Sequence, residues 1–577
     1  MPKKPVESRI QDIVYNIDTG LGLRIAQGAA AVLVLAVVIL GVTATQWRSL
    51  DNAEAMDYAQ LGRNLLLRRQ YVTQFVRPVS MARVRERTGD PQVLQHPDLF
   101  HPPVYPTLLA GTFAISRAAL EHEPGPAFQP YRPEQIMIVP LNHLFVVLGG
   151  VLLLLLGLRL FDVRVALISG LVYFLSFTVW AGSLRATGLP VLTFLVLACS
   201  YSLLRACEPP PDAPPLRRLF PLAVSAVLCG LAVLTRYAAI VLLPGALLYL
   251  GLALPRRCVA TMALYAAIAL AVVAPWLVRN ARISGHPFGL AHVTAYHDLE
   301  GAMAEDMVER VPDGRPRASL RALQSKWFRL VGRFYREDLP ALGDGLLFPF
   351  FLASLFFRFA RRPTRLFRWA ALSAMILLVL LAGFFGERTF RLVEAFWPIA
   401  ILYGMAFFFL LLDRLRLGIR LFNFGVATLF VGLSVLPLAL AVMPPRAAPP
   451  YPPYYWPFAV HVTRMLEPHE VIGTDMPWAT AWYGNRASIL LPRTLDDFYA
   501  IHDYQQRFSA LYFTTLTRDR PYVRTLRTGE NFRTWFPILE GRMPGDFPLT
   551  QGFPLNNLDQ LFLTDRPRWP AAPPAAP

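Results

Sequence analysis

Residues 25–58 read IAQGAAAVLVLAVVILGVTATQWRSLDNAEAMDY, a long apolar run, a tryptophan, and then a cluster of carboxylates. About 20 apolar residues cross the hydrocarbon core as a helix, so residues 25–46 predict a retained first span with Trp47 at its interface. Met1-Pro-Lys3-Lys4 lies far ahead of the run and no small-residue cleavage site follows it, so a cleaved signal peptide is not indicated. Lys3, Lys4, Arg9 and Arg24 favour a cytoplasmic N-terminus over residues 1–24. Asp51, Glu54 and Asp57 then emerge on the external face. There a carboxylate facing water costs little and can take a proton or bind a cation.

The pattern repeats along the chain. Its 577 residues are 54% hydrophobic and 16% charged, where soluble domains carry about a quarter charged residues. Further spans are expected near 136–158, 164–182, 189–205, 219–235, 238–254 and 258–277, and others follow up to 421–443. The net charge of +17 rests on arginine, since lysine occurs only at Lys3, Lys4 and Lys326. The arginines lie in short clusters between apolar runs, such as Arg205/Arg217/Arg218, Arg256/Arg257 and Arg414/Arg416/Arg420. That is the positive-inside pattern of a membrane protein meeting membrane lipids, and it argues against nucleic acid as a partner. The clusters alternate cleanly if residues 104–120 dip into the membrane and return. The expected fold is a polytopic α-helical membrane protein of about 11 spans plus juxtamembrane helices, including one over residues 54–69. Cys199, Cys207, Cys229 and Cys258 have no metal-ligand spacing and form no disulfide framework.

This topology assigns residues 25–443 to a transmembrane domain with external loops at 47–135 and 278–340. Residues 444–457 form a Pro-rich linker and 571–577 a disordered tail. Between them, 458–570 alternates strand-like and helix-like segments and reads as a small extracytoplasmic α/β domain. Its strands are expected at Glu470–Thr474, Ser488–Leu491 and Ala510–Thr514, with a helix at Leu495–Phe508.

Chemistry-bearing residues gather on the external side. Asp51 and Glu54 are three apart and share a face on one helical turn. Such a pair can coordinate a divalent cation such as Mg2+ or Mn2+, or act as general base and acceptor-orienting group. Asp51 is equally well placed to cap the following helix. Three prolines in His101-Pro-Pro-Val-Tyr105-Pro106 preclude an ordinary spanning helix and can hold His101 and Tyr105 rigidly at the membrane edge. Arg236 sits between two apolar runs, where it needs a phosphate or carboxylate partner or must snorkel. Arg388 and Arg391 raise the same question. In the C-terminal domain, Asp475, Trp478, Trp482 and Tyr483 suit a carbohydrate platform or packing against the membrane domain.

Asp51-Asn-Ala-Glu54 through Tyr58-Ala-Gln-Leu-Gly-Arg-Asn64 resembles the first external loop of GT-C glycosyltransferases. The closest types are the protein O-mannosyltransferases and lipid A aminoarabinose transferases. His101 to Pro106, Leu234-Thr-Arg236-Tyr237, Pro275-Trp276 through Asn280, and Arg388 to Pro398 are similar to further landmarks of that group. The resemblance implies transfer of a sugar from a polyprenyl-phosphate donor to an extracytoplasmic acceptor, with inversion, at a bacterial cytoplasmic membrane. It makes Asp51 the general base or acceptor-orienting carboxylate, while Glu54 and His101 are catalytic candidates on their own chemistry. Arg236, Arg388 and Arg391, with Tyr237, become donor-phosphate ligands; Asp57, Tyr58 and Tyr105 are candidate sugar or acceptor contacts, as are Asp475 and Trp478 on their own chemistry. The family's Asp-Glu pair is Asp51-Asn52 here, a departure that counts against a metal and shifts any second-carboxylate role to Glu54 or Asp57, with Asp51 and Glu54 the ligands if a metal binds. A transporter of lipid-linked sugars and a non-catalytic scaffold are the competing classes. The first predicts broken, polar span interiors, and the second leaves the Asp51 loop unexplained.

Overall fold

The computed structural model describes residues 21–47, 49–120, 131–208, 214–255, 258–297, 299, 308–312, 319–415, 420–443, 456–518, 535–539, 541–553 and 560–569. Residues 1–20, the Glu121/Glu123 loop, most of the Pro-rich linker and the C-terminal tail lie outside them. Among the described residues, eight helices are long and apolar enough to cross a bilayer, from Ile25–Gln46 to Leu421–Val442. Val163–Phe174 and Phe177–Leu184 make a ninth that bends by 48°. At that break Ser176 and Thr178 donate to Asp344 at 2.7 and 2.9 Å. The chain is a multi-pass membrane protein. The span expected at 238–254 is shorter than a full crossing, at Tyr237–Ala253.

The dip expected after the first loop is the 12-residue helix Val104–Ile115. At about 1.5 Å per residue it is roughly 18 Å long, well short of a hydrocarbon core of about 30 Å. It packs against the first-loop helix Ala53–Arg68 at Gly62, where a Cβ would lie 2.8 Å from that of Leu109.

Helix Ala53–Arg68 has no exposed face over its first three turns. Every residue from Ala55 to Asn64 is buried, because Val104–Ile115 covers one side and the C-terminal helix Pro477–Trp482 the other. Its polar residues find partners inside that contact. Arg63 donates to the carbonyls of Ala481 and Trp482 at 2.6 and 2.7 Å and to Gln74 Oε1 at 2.9 Å. Those carbonyls end the C-terminal helix, where unpaired acceptors and the helix dipole favour a cation.

The C-terminal strands form at Val471–Thr474, Ala487–Leu490 and Ala510–Phe513, and the helix at Leu495–Tyr504. A capping box between Thr494 and Asp497 starts that helix. The sheet has six strands in the order Phe75–Val76, Ala487–Leu490, Val471–Thr474, Ala510–Phe513, Leu561–Thr564, Gln551–Phe553. The first belongs to the first loop. It runs parallel to Ala487–Leu490 with Phe75 opposite Ser488 and Val76 opposite Ile489. Val76 and Met81 share a core with Val471, Ile489 and Leu511. The loop and the C-terminal sheet are thus built as one body at one end of the bundle.

Candidate active site

Three chain segments meet where the first-loop helix begins. Asn52, rather than Asp51, is its N-cap. The Asn52 side chain accepts from Ala55 N at 2.8 Å. Its Nδ2 donates to Asp51 Oδ1 and to the carbonyl of Arg185, both at 2.9 Å. Asp51 is therefore left exposed on the rim. One turn on, Glu54 Oε1 pairs with Arg236 Nη1, and the two side chains retain 17% and 15% exposure. Arg236 has extended backbone between the helix Pro215–Val233 and a 3-10 turn, and this break presents its guanidinium at the bundle end.

The turn at 185–188 supplies three consecutive carbonyls to the site. Arg185 O takes Asn52, Ala186 O takes the Tyr105 hydroxyl at 3.2 Å, and Thr187 O takes Arg236 Nη2. Gly188 makes the turn possible, because its φ is +77° and a Cβ would lie 2.9 Å from the Tyr105 ring. Arg236 also lies 5.2 Å from the ring centre of Tyr58, whose edge meets His101 and Tyr105 at 4.9 and 5.3 Å. Burial works against the Arg236 charge, but Glu54 more than offsets it and holds the guanidinium charged. Burial pushes the Tyr58 phenol far above its ordinary value, so it stays neutral.

Behind this rim runs a largely buried chain of acidic and basic side chains: His297, Glu309, Arg77, Asp57, His101, Asp98. Successive contacts are 3.3, 2.7, 3.0, 3.6 and 3.1 Å. Burial opposes the His101 imidazolium, yet Asp57 and Asp98 outweigh it and raise its pKa. Burial likewise opposes the Glu309 carboxylate, and Arg77 with His297 nonetheless holds it down to about 2. Asp57, Asp98 and His101 each offer a ligand atom within 4.8 Å of the others, a spacing that suits a cation. Arg77 and His101 already answer those carboxylates, however, and the set is balanced as it stands. The expected metal pair separates, since Glu54 turns to Arg236 while Asp51 faces Asn52.

The structure thus brings Asp51, Glu54, Tyr58, Tyr105, His101 and Arg236 together, with Asp57 just behind. Tyr237 turns away, its hydroxyl accepting from Trp276 Nε1 at 2.8 Å and Asn280 Nδ2 at 3.3 Å. Arg391 is exposed and its charge acts on Glu394, which Arg185 reaches at 3.4 Å. The side chain of Arg388 lies outside those described. Asp475 is not brought to the rim. It is buried and accepts from the backbone and hydroxyl groups of Thr514 and Thr517. Trp478 packs on Phe75 at 6.0 Å between ring centres.

This architecture has known counterparts. ArnT from Cupriavidus metallidurans, in its crystal structure bound to undecaprenyl phosphate, superposes with a TM-score of 0.54 at 13% identity, covering 95% of this chain and 99% of that one. The fold is that of the GT-C membrane glycosyltransferases. The Archaeoglobus fulgidus oligosaccharyltransferase, tethered to an acceptor peptide containing the NVT sequon, gives a TM-score of 0.57 at 14% identity over 87% of this chain and 71% of that one. A family model described as dolichyl-phosphate-mannose-protein mannosyltransferase matches residues 134–278. No curated protein matches.

Sequence reasoning did not single out Arg185, Arg77, Glu309 or Glu134. Glu134 carried a usable signal: a carboxylate at the mouth of an apolar run needs a partner. Arg77 and Glu309 are 232 residues apart, and no local pattern links them.

Proposed function

We propose that this GT-C chain is a glycosyltransferase that moves a sugar from a polyprenyl-phosphate donor to an acceptor outside a bacterial cytoplasmic membrane. The acceptor would be a protein, a glycolipid or a cell-envelope glycan. The observation that carries the reading is the partly open Glu54–Arg236 pair beside the exposed carboxylate of Asp51. A guanidinium is the planar fork that grips phosphate oxygens, and an exposed carboxylate one helical turn before its partner Glu54 can accept a proton. ArnT holding undecaprenyl phosphate and the oligosaccharyltransferase holding an acceptor peptide support the two substrate classes.

In this scheme the donor phosphate takes the place of Glu54 on Arg236. Asp51 removes the proton of the acceptor as its nucleophilic atom attacks the anomeric carbon. The bond to the phosphate oxygen breaks in the same step, and the electron pair leaves on the phosphate, where Arg236 stabilises it. One displacement inverts the anomeric configuration. Arg391 and Arg388 stand as further phosphate ligands. The opposite end of the bundle carries Arg159, Arg164, Arg361 and Arg362, paired to Glu208, Asp413 and the carbonyls of Phe161 and Leu252. Such a cluster favours the cytoplasm and supports a periplasmic site. The test is transfer of radiolabelled sugar from polyprenyl-phosphate donors in proteoliposomes, with the product's anomeric configuration read by NMR. Transfer with inversion is expected. Absence of both transfer and lipid-phosphate binding refutes the proposal.

A further inference from the structure

Asp51 is exposed, so packing does not fix it. Its place is set by the residues on either side. Asn52 is held by Ala55 N and the Arg185 carbonyl. On the other side, the amide of Leu50 donates to Glu134 Oε2 at 3.1 Å. The second oxygen of the same carboxylate, Oε1, accepts from Trp482 Nε1 at 2.8 Å. Glu134 is wholly buried at the start of the Glu134–Leu160 span. Trp482 belongs to the C-terminal helix whose carbonyls Arg63 clamps, and its ring stacks on Phe113 at 6.1 Å.

We propose that Glu134 is a positioning residue, the junction through which the C-terminal sheet region and the membrane bundle together set the place of Asp51. The chemistry is selective. The Leu50 amide, the Trp482 indole and the Tyr483 hydroxyl all act on Glu134 as donors, so the site requires two acceptor oxygens on one side chain. A glutamine offers one, and its amide nitrogen would then face either the Leu50 N–H or the Trp482 N–H, leaving a buried donor unsatisfied. An aspartate has the two oxygens but is one methylene too short to span both partners. The C-terminal region is therefore part of the catalytic machinery, acting through Trp482 and Glu134 on the residue before Asp51. The catalytic part of this inference rests on the glycosyltransferase reading, whereas the anchoring part does not.

The test uses the full chain in nanodiscs. Glu134→Gln should lower kcat about tenfold or more, roughly the effect of one unsatisfied buried donor. The KM for the lipid-linked donor should stay within about twofold, because Arg236 is untouched. Amide exchange at Leu50–Asn52 should quicken in the same variant. Adding Trp482→Phe removes one of the competing donors, so the double variant should regain much of the lost kcat. A structural lesion would instead lower kcat and raise KM together, and gain nothing from the second change. Wild-type kcat with wild-type exchange in Glu134→Gln, or a double variant no better than the single, overturns the inference. If Glu134→Gln fails to fold, Trp482→Phe alone decides: a lower kcat at constant KM supports the inference, and an unchanged kcat overturns it. A wild type inactive with every lipid-linked sugar would refute the enzyme reading alone, and exchange at Leu50 would still report on the anchor.

Discussion

Replacing Glu54 with glutamine should tighten the hold on lipid phosphate while slowing turnover. In the empty site Glu54 neutralises Arg236, and an arriving phosphate must displace it. A charge-assisted hydrogen bond of this kind contributes about 1.5–3 kcal/mol. Side chains still 15–17% exposed place this pair at the lower end of that range. Glutamine keeps the shape and removes the competing charge. At 1.4 kcal/mol per factor of ten, the Kd for undecaprenyl phosphate should fall about tenfold. The same gain applies to the product lipid phosphate, so kcat should drop as release slows. Titration of undecaprenyl phosphate against both proteins in nanodiscs gives the affinity, and single-turnover against steady-state transfer separates chemistry from release. A folded Glu54→Gln protein that binds lipid phosphate no better, or worse, than wild type would refute the displacement argument.

Arg236→Lys keeps a charge but loses the fork, and should raise the Kd for undecaprenyl phosphate tenfold or more in the same titration; equal affinity would remove Arg236 from the phosphate site. Glu309 gives a pH prediction. Its carboxyl is lowered from 4.5 to about 2 by Arg77 and His297 against the effect of burial, so its contribution is full above about pH 4.5 and is lost as pH falls towards 2. That contribution amounts to about 3 kcal/mol. The difference in melting temperature between wild type and Glu309→Gln should therefore close over that interval, and a constant difference would contradict it. The 12-residue helix Val104–Ile115 predicts that a topology reporter fused after residue 122 lies outside and one after residue 161 inside. A cytoplasmic signal at 122 would show that the segment crosses.

The spans were legible because lipid imposes a length and a composition that a single sequence displays directly. The C-terminal strands at 471–474, 487–490 and 510–513 were legible for a similar reason, as short apolar runs between turn residues. The strand Phe75–Val76 was not, since two residues carry no periodicity and its partner Ala487–Leu490 lies over 400 positions away. Helix Ala53–Arg68 looked interfacial because Met56, Leu61 and Leu65 fall on one side with arginines elsewhere; Asp57, Gln60, Arg63 and Asn64 instead find buried partners, including Arg77, Thr73 and the Val72, Ala481 and Trp482 carbonyls. Around the site, Glu54, Tyr58, Tyr105, His101 and Arg236 lie together, with Asp51 exposed one turn before Glu54. Asp475 illustrates the opposite case. A carboxylate following a strand and beside tryptophans suggests a sugar contact, yet Thr514 and Thr517, just past the neighbouring strand, saturate it. Convergence of distant segments is what a single sequence records least.

The most direct test of the central claim is transfer of radiolabelled sugar from a polyprenyl-phosphate donor by wild type and Asp51→Asn in matched proteoliposomes. The predicted result is inverting transfer by wild type and a kcat about 100- to 10,000-fold lower in Asp51→Asn, the range for loss of a general base, with lipid-phosphate affinity retained. Equal turnover by the two proteins would contradict the account.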